Sequence, residues 1–249
     1  MTSLWLWVFP VISITVWLAM LMAMLIHWCV IGKPFYVSED QHQTIAFISD
    51  IGASNIKPLF IAGCCTTTVF LDLSLLAERW IFFQYERREK QSRGDRISGF
   101  LSVACAAIGS LGLILLSILD VVHHRTAHES LLILALAGYI ISAAFLCWER
   151  RQLRRDFHKH YLRSIAFYIK IVFVALEALL IIAFIVCFAR YEDPDAVFEW
   201  VIAFLFVLYA SAFLVDLLPA ASQSMESTHT THREAEIESY TISSAREKQ

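Results

Sequence analysis

Asp72 and Glu177 each fall near the middle of a long apolar run, where an ionisable side chain is costly and must face other protein or water. Cys65, Thr68, Asp72 and Arg79 lie at offsets of three, seven and fourteen, which places them on one helical stripe. Arg79 is expected to snorkel to the cytosolic boundary, and its neighbour Glu78 to point away to the interface. Lys170 and Glu177, seven apart, share a face, and Asp216 falls at a depth that suits an ion pair with Lys170. Asp72 and Glu177 then stand at one level, where two carboxylates cannot both ionise cheaply and one keeps or shares a proton. Two readings stay open: a polar cavity for a lipid headgroup or a proton, or an internal clamp that sets helix register.

A second constellation has the residue types of a metal site. Asp120, His124 and His128 recur every four residues, with His123 beside them and His27 near the end of another run. Imidazole and carboxylate are good zinc ligands, but the helix should stop near Val122, so these groups read better as an interfacial loop end. The cysteines lie within or beside the apolar runs, a spacing that matches neither a disulfide framework nor a zinc site. No nucleophile elbow or phosphate-cradling glycine loop occurs. The chain is read as non-enzymatic and without a cofactor.

These groups need elements to hold them, and the composition says which. The chain has 249 residues, 58% hydrophobic and 17% charged, with mean hydropathy +0.60. Soluble domains carry about 45–50% apolar and about 25% charged residues. The net charge of −3 shows no basic excess, which excludes a nucleic-acid binder. A bilayer core takes about 20 helical residues, and six stretches qualify, at 4–31, 58–83, 97–122, 130–148, 165–189 and 197–218. The fold class is all-α: a polytopic six-helix transmembrane bundle over residues 1–218, followed by a disordered cytosolic tail over 219–249 rich in Ser, Thr and Glu. Ser98, Ser102, Ala106 and Ser110 on the third run, and Gly138 and Ser142 on the fourth, have the small-residue spacing of close helix contacts.

Orientation follows from the basic residues between runs. The second connection holds five (Arg87, Arg88, Lys90, Arg93, Arg96) and the fourth holds six (Arg150, Arg151, Arg154, Arg155, Lys159, Arg163). The other three connections together hold four, so the second and fourth face the cytosol, as do both termini. Six basic residues exceed what topology needs, and each is worth about 1 kcal/mol beside an anionic leaflet. This segment is read as a contact for phosphoinositide or phosphatidylserine, with Leu153, Phe157 and Tyr161 dipping into the acyl boundary. The first connection, Gly32 to Lys57, is read as an elbow: the Asp50 carboxylate can accept nearby backbone N–H groups, Gly52 tolerates positive φ, and Pro58 opens the next helix.

The elbow Phe47-Ile48-Ser49-Asp50-Ile51-Gly52-Ala53, then Lys57-Pro58-Leu59-Phe60, Phe70-Leu71-Asp72-Leu73 and Glu78-Arg79-Trp80 form a recognisable series. With Cys147-Trp148-Glu149, Glu199-Trp200-Val201-Ile202-Ala203-Phe204 and Asp216-Leu217-Leu218-Pro219, it resembles the Frag/DRAM/Sfk family (the Cwh-type N-terminal domain) over about residues 1–220, and most closely its fungal Sfk-type branch. The segment around Ser49, Asp50 and Gly52 is the most specific element. The resemblance implies a plasma-membrane regulator that helps to hold a phosphatidylinositol 4-kinase complex and supports lipid homeostasis. Family relatives in endolysosomal and Golgi membranes, one a GPI-anchor remodelling factor, leave those membranes and a lipid-handling role as alternatives. It carries over no catalytic residue.

Overall fold

In membrane hydrocarbon a backbone N–H or C=O finds no water, so an apolar run satisfies its own backbone by coiling into a helix. The computed structural model describes residues 5–38, 44–86, 93–154, 161–190, 195–211, 213, 214 and 217. It contains α1 (Val8–Val30), α2 (Ile48–Gly52), α3 (Lys57–Glu86), α4 (Arg93–Ile118), α5 (Arg125–Arg154) and α6 (Tyr161–Arg190). Residues 195–211 form a further helix, α7. No strand occurs among the described residues.

Among the described residues, four helical stretches are long and apolar enough to cross a membrane: Val8–Val30, Lys57–Ile81, Arg96–Ile118 and Arg125–Glu149. The expected fifth run, 165–189, lies within α6, whose described apolar stretch is Ile171–Cys187. Of the expected sixth run, residues 197–211 lie in α7. The tail expected over 219–249 lies outside the described residues. Bulky apolar side chains such as Phe100, Leu111, Ile133, Leu179 and Ile182 face outward, while serines and charged groups are buried. Polar groups inside and hydrocarbon outside is the arrangement lipid surroundings favour, and the chain is a membrane protein.

The helix ends follow local chemistry. After α1, Gly32 at φ 86 and Lys33 at φ 54 turn the chain, and Lys33 N–H donates to the Trp28 carbonyl at 2.9 Å. Glycine takes that left-handed position without a Cβ penalty. α5 runs well past the expected 130–148 at both ends, so Arg150, Arg151 and Arg154 belong to its last turns rather than to a loop. Cations there complement the negative end of the helix dipole.

The closest seam joins α4 to α5, and its small residues explain it. Ser98 donates to the Phe145 carbonyl and Ser102 to the Ser142 carbonyl, each at 3.0 Å, and Ala106 is fully buried. Gly109 and Gly138, one on each helix, let the backbones meet: a Cβ on Gly138 would stand 2.7 Å from the Gly109 Cα. On α3, a Cβ on Gly63 would overlap the Met20 thioether of α1. α7 is tied to α1 by the Trp17 indole, which donates to the Ala203 carbonyl at 2.9 Å and packs edge-on against Phe206.

Gly138→Val places its side chain against backbone that cannot rotate away, so it should destabilise by about 1–3 kcal/mol or more. Ala137→Val, at an exposed neighbouring position, should be nearly silent. Thermal unfolding of the purified protein in detergent measures both, and equal midpoints would contradict the seam.

Candidate functional site

At one end of the bundle the elbow is built around a carboxylate. Asp50 is buried; its Oδ2 accepts the Phe47 N–H at 3.1 Å and its Oδ1 accepts the Ser38 hydroxyl. The Ser49 carbonyl accepts the Ala53 N–H at 2.9 Å and closes the turn. Gly52 has no positive φ, contrary to expectation. Its need is space, because a Cβ there would stand 2.6 Å from the Phe60 ring. Two α7 residues clasp the elbow. Glu199 Oε2 accepts the Ile48 N–H at 2.7 Å, and the Trp200 indole donates to the Ala46 carbonyl at 3.0 Å. Glu199 was not among the residues predicted to form a site, although a lone carboxylate early in an apolar run was a usable signal.

Beside the elbow, Asp120 follows the end of α4. Its Oδ2 accepts the Lys57 ammonium at 2.6 Å, and its Oδ1 accepts the His123 backbone N–H at 2.9 Å and meets the His123 ring nitrogen at 2.8 Å. The Lys57 ammonium, and then the His123 contacts, hold the Asp120 carboxyl well below the usual carboxylate range. His128 spends its Nδ1 on the Leu119 carbonyl at 2.8 Å. No group of three His, Cys, Asp or Glu suited to a metal occurs among the described residues. The set works as a helix-end clamp.

Within the bundle the stripe on α3 turns inward. Thr68 is buried and returns its hydroxyl to the Cys64 carbonyl at 2.9 Å. Asp72 faces Ser110 of α4, and the Ser110 hydroxyl meets the Tyr139 hydroxyl of α5 at 2.9 Å. Tyr139 in turn lines a small cavity with Glu177 of α6 and Tyr209 of α7. Asp72 and Glu177 are therefore related through one tyrosine, which faces both. Asp72 Oδ1 is buried with no hydrogen-bond partner among the described residues.

Two expectations at the other end of α3 are corrected. Arg79 does not snorkel: it is 8% exposed and forms an ion pair with Glu149 of α5, itself 1% exposed. Glu78 is not interfacial but 4% exposed. The cause is Gly99 of α4, where a Cβ would collide with the Arg79 guanidinium. Its absence opens a channel from α3 toward α5. The position of Glu149 just before the arginine run disguised it as part of the cytosolic segment.

Several predicted residues have no described side chain. Lys170 and Arg163 lie on α6, and Arg150, Arg151 and Arg154 on α5, with their backbones alone described. Asp216, Arg155 and Lys159 fall outside the described residues, so the Lys170–Asp216 pair does too.

The family model described as the Frag1/DRAM/Sfk1/Cwh43P N-terminal domain matches residues 5–220. The chain is 29% identical to protein sfk1 of Schizosaccharomyces pombe over 216 residues, which covers 85% of this chain and 63% of that protein. It is 47% identical to protein SFK1 of Saccharomyces cerevisiae over 58 residues, 23% of this chain and 16% of that protein. The chain thus matches less than two thirds of the length of either relative. No solved structure matches it.

Arg79→Gln should cost about 3–5 kcal/mol, because it strands a buried carboxylate. Joint replacement with Arg79→Met and Glu149→Leu should restore most of that loss; a double-variant cycle read by thermal unfolding tests it, and additive losses would refute the pairing. Asp120, with its carboxyl held low, stabilises the fold above the usual carboxylate range, and that support fades as pH falls through and below it. Asp120→Asn should therefore lower the melting temperature at pH 7, with the gap to wild type narrowing below about pH 4. A gap independent of pH would argue against the Lys57 clamp.

Proposed function

The chain belongs to the Frag1/DRAM/Sfk1/Cwh43P N-terminal-domain family, and from that premise we propose a non-enzymatic regulator of plasma-membrane lipid homeostasis. In this reading it crosses the bilayer six times with both termini in the cytosol. Its basic segment meets the anionic inner leaflet, phosphoinositides included, and helps to hold a phosphatidylinositol 4-kinase complex there.

One observation carries the proposal. Arg150, Arg151, Arg154, Arg155, Lys159 and Arg163 are six basic residues confined between the apolar parts of α5 and α6. At about 1 kcal/mol each beside an anionic leaflet, they supply several kcal/mol of attraction that falls away beyond a Debye length. Such a cluster holds phosphorylated lipid headgroups at the surface, where a lipid kinase would act. The 219–249 tail, with its serines and threonines, adds a place where phosphorylation would raise negative charge and weaken that attraction.

The lipid-handling alternative draws on the same intramembrane acids, and Asp72 Oδ1 without a partner among the described residues speaks for it. The cavity beside Glu177 measures about 20 Å³, about the room one water needs. A headgroup would enter only if α5, α6 and α7 separated. The regulator reading therefore leads.

Cells lacking the protein should lose a phosphatidylinositol 4-phosphate reporter from the surface, and wild type should restore it. Charge reversal at Arg150, Arg151, Arg154 and Arg155 should leave membrane insertion intact but fail to restore the reporter. Full restoration by that variant would sink the proposal. In purified form the same variant should lose most of its binding to anionic vesicles, measured by co-sedimentation.

A further inference from the structure

Glu177 presents a problem the regulator reading does not address. It is 8% exposed and lies in an apolar helix, and no cation pairs with it among the described residues. Its side chain lines the cavity between α5, α6 and α7, whose other walls are mostly aliphatic: Leu136, Ile140, Ala143, Val174 and Ile181. The other residues with polar side chains that line it are Tyr139 and Tyr209. An ionised carboxylate with such neighbours bears a large cost of desolvation, with no cation among the described residues to offset it.

We propose that this cavity is a proton-and-water site, in which Glu177 carries a proton and one bound water joins its carboxyl to the hydroxyls of Tyr139 and Tyr209. The volume suits a single water, and a buried water needs two to four polar partners. The carboxyl and the two phenols provide three. A protonated carboxyl, a phenol and a serine hydroxyl can each donate and accept, so the hydrogen bonds continue in order. Tyr139 meets Ser110 at 2.9 Å, and Ser110 faces Asp72. Four helices are thereby joined by one line of exchangeable protons with a carboxyl at each end.

The groups that face this line are few. From α3 come Cys64, Asp72 and Glu78, from α5 Tyr139 and Cys147, and from α7 Tyr209, which lies within electrostatic reach of Glu78, Cys147, Glu177 and Tyr139. Arg79 is occupied by Glu149. The proposal stands apart from the basic segment, and either can fail without the other.

Infrared spectroscopy of the full chain in lipid nanodiscs at neutral pH tests it. Wild type should show a protonated-carboxyl stretching band that moves when the protein is made with ¹³C-labelled glutamate. A component of that band should vanish in Glu177→Gln and persist in Glu199→Gln, at the glutamate that accepts the Ile48 N–H, and in Glu129→Gln, at a surface ion pair with Arg125. Tyr139→Phe and Tyr209→Phe should each shift the band, because the water loses a partner. Absence of a glutamate-labelled band, or a labelled band unchanged in Glu177→Gln, overturns the proton assignment; an unmoved band in both phenylalanine variants overturns the water link. If Glu177→Gln does not fold, Glu177→Asp serves instead: it should lose the same glutamate-responsive component, and a labelled band unchanged from wild type overturns the assignment.

Discussion

Lipid offers no hydrogen-bond partners, and that constraint organises this molecule. Every polar atom carried into the bundle has to meet its partner inside the protein. The solutions are directional, so they fix helix positions as well as satisfying atoms. Ser98 and Ser102 reach across to α5 backbone carbonyls. The Trp17 indole fastens α1 to α7, and the Trp200 indole fastens α7 to the elbow. Arg79 and Glu149 satisfy the heaviest demand, since either alone would be an uncompensated charge.

Much of this was legible in the sequence because helical periodicity reports which face a residue occupies. The four-residue spacing of Ser98, Ser102, Ala106 and Ser110 pointed to a close contact, and the structure has that seam against α5. The capping role of Asp50 followed from the reach of a short carboxylate. Periodicity does not say what lies opposite, and there the reading failed. Arg79 had a cytosolic boundary within reach, so snorkelling was the economical expectation. The outcome turned on Gly99 of another helix, whose missing side chain makes room for the guanidinium. Gly52 was read through backbone conformation when its neighbour Phe60 was the reason. Pairings across helices depend on rotation and depth together, and a one-dimensional pattern carries neither.

The two ends of the bundle are built differently. At the elbow end, carboxylates are consumed by structure: Asp50 by Phe47 and Ser38, Glu199 by Ile48, Asp120 by Lys57 and His123. At the other end, Arg79 and Glu149 are sealed inside, while the arginines beyond Glu149 continue along the last turns of α5. In the sequence, the basic residues beyond this sealed pair gather on two connections, five between the apolar parts of α3 and α4 and six between those of α5 and α6.

That asymmetry bears on the choice between a scaffold and a lipid conduit. To pass a headgroup through the middle, α5 would have to part from its neighbours. Opening the α4–α5 seam breaks the serine hydrogen bonds at about 1 kcal/mol each and separates backbones that touch at Gly109 and Gly138. Moving α5 from α3 also breaks the Arg79–Glu149 pair, at about 3–5 kcal/mol. Such penalties add, and the lining of the water-sized cavity, mostly aliphatic apart from Tyr139, Glu177 and Tyr209, offers a headgroup little in return. Contacts of this kind between α3, α4 and α5 favour the scaffold over the conduit, because a conduit has to break and remake them in each passage.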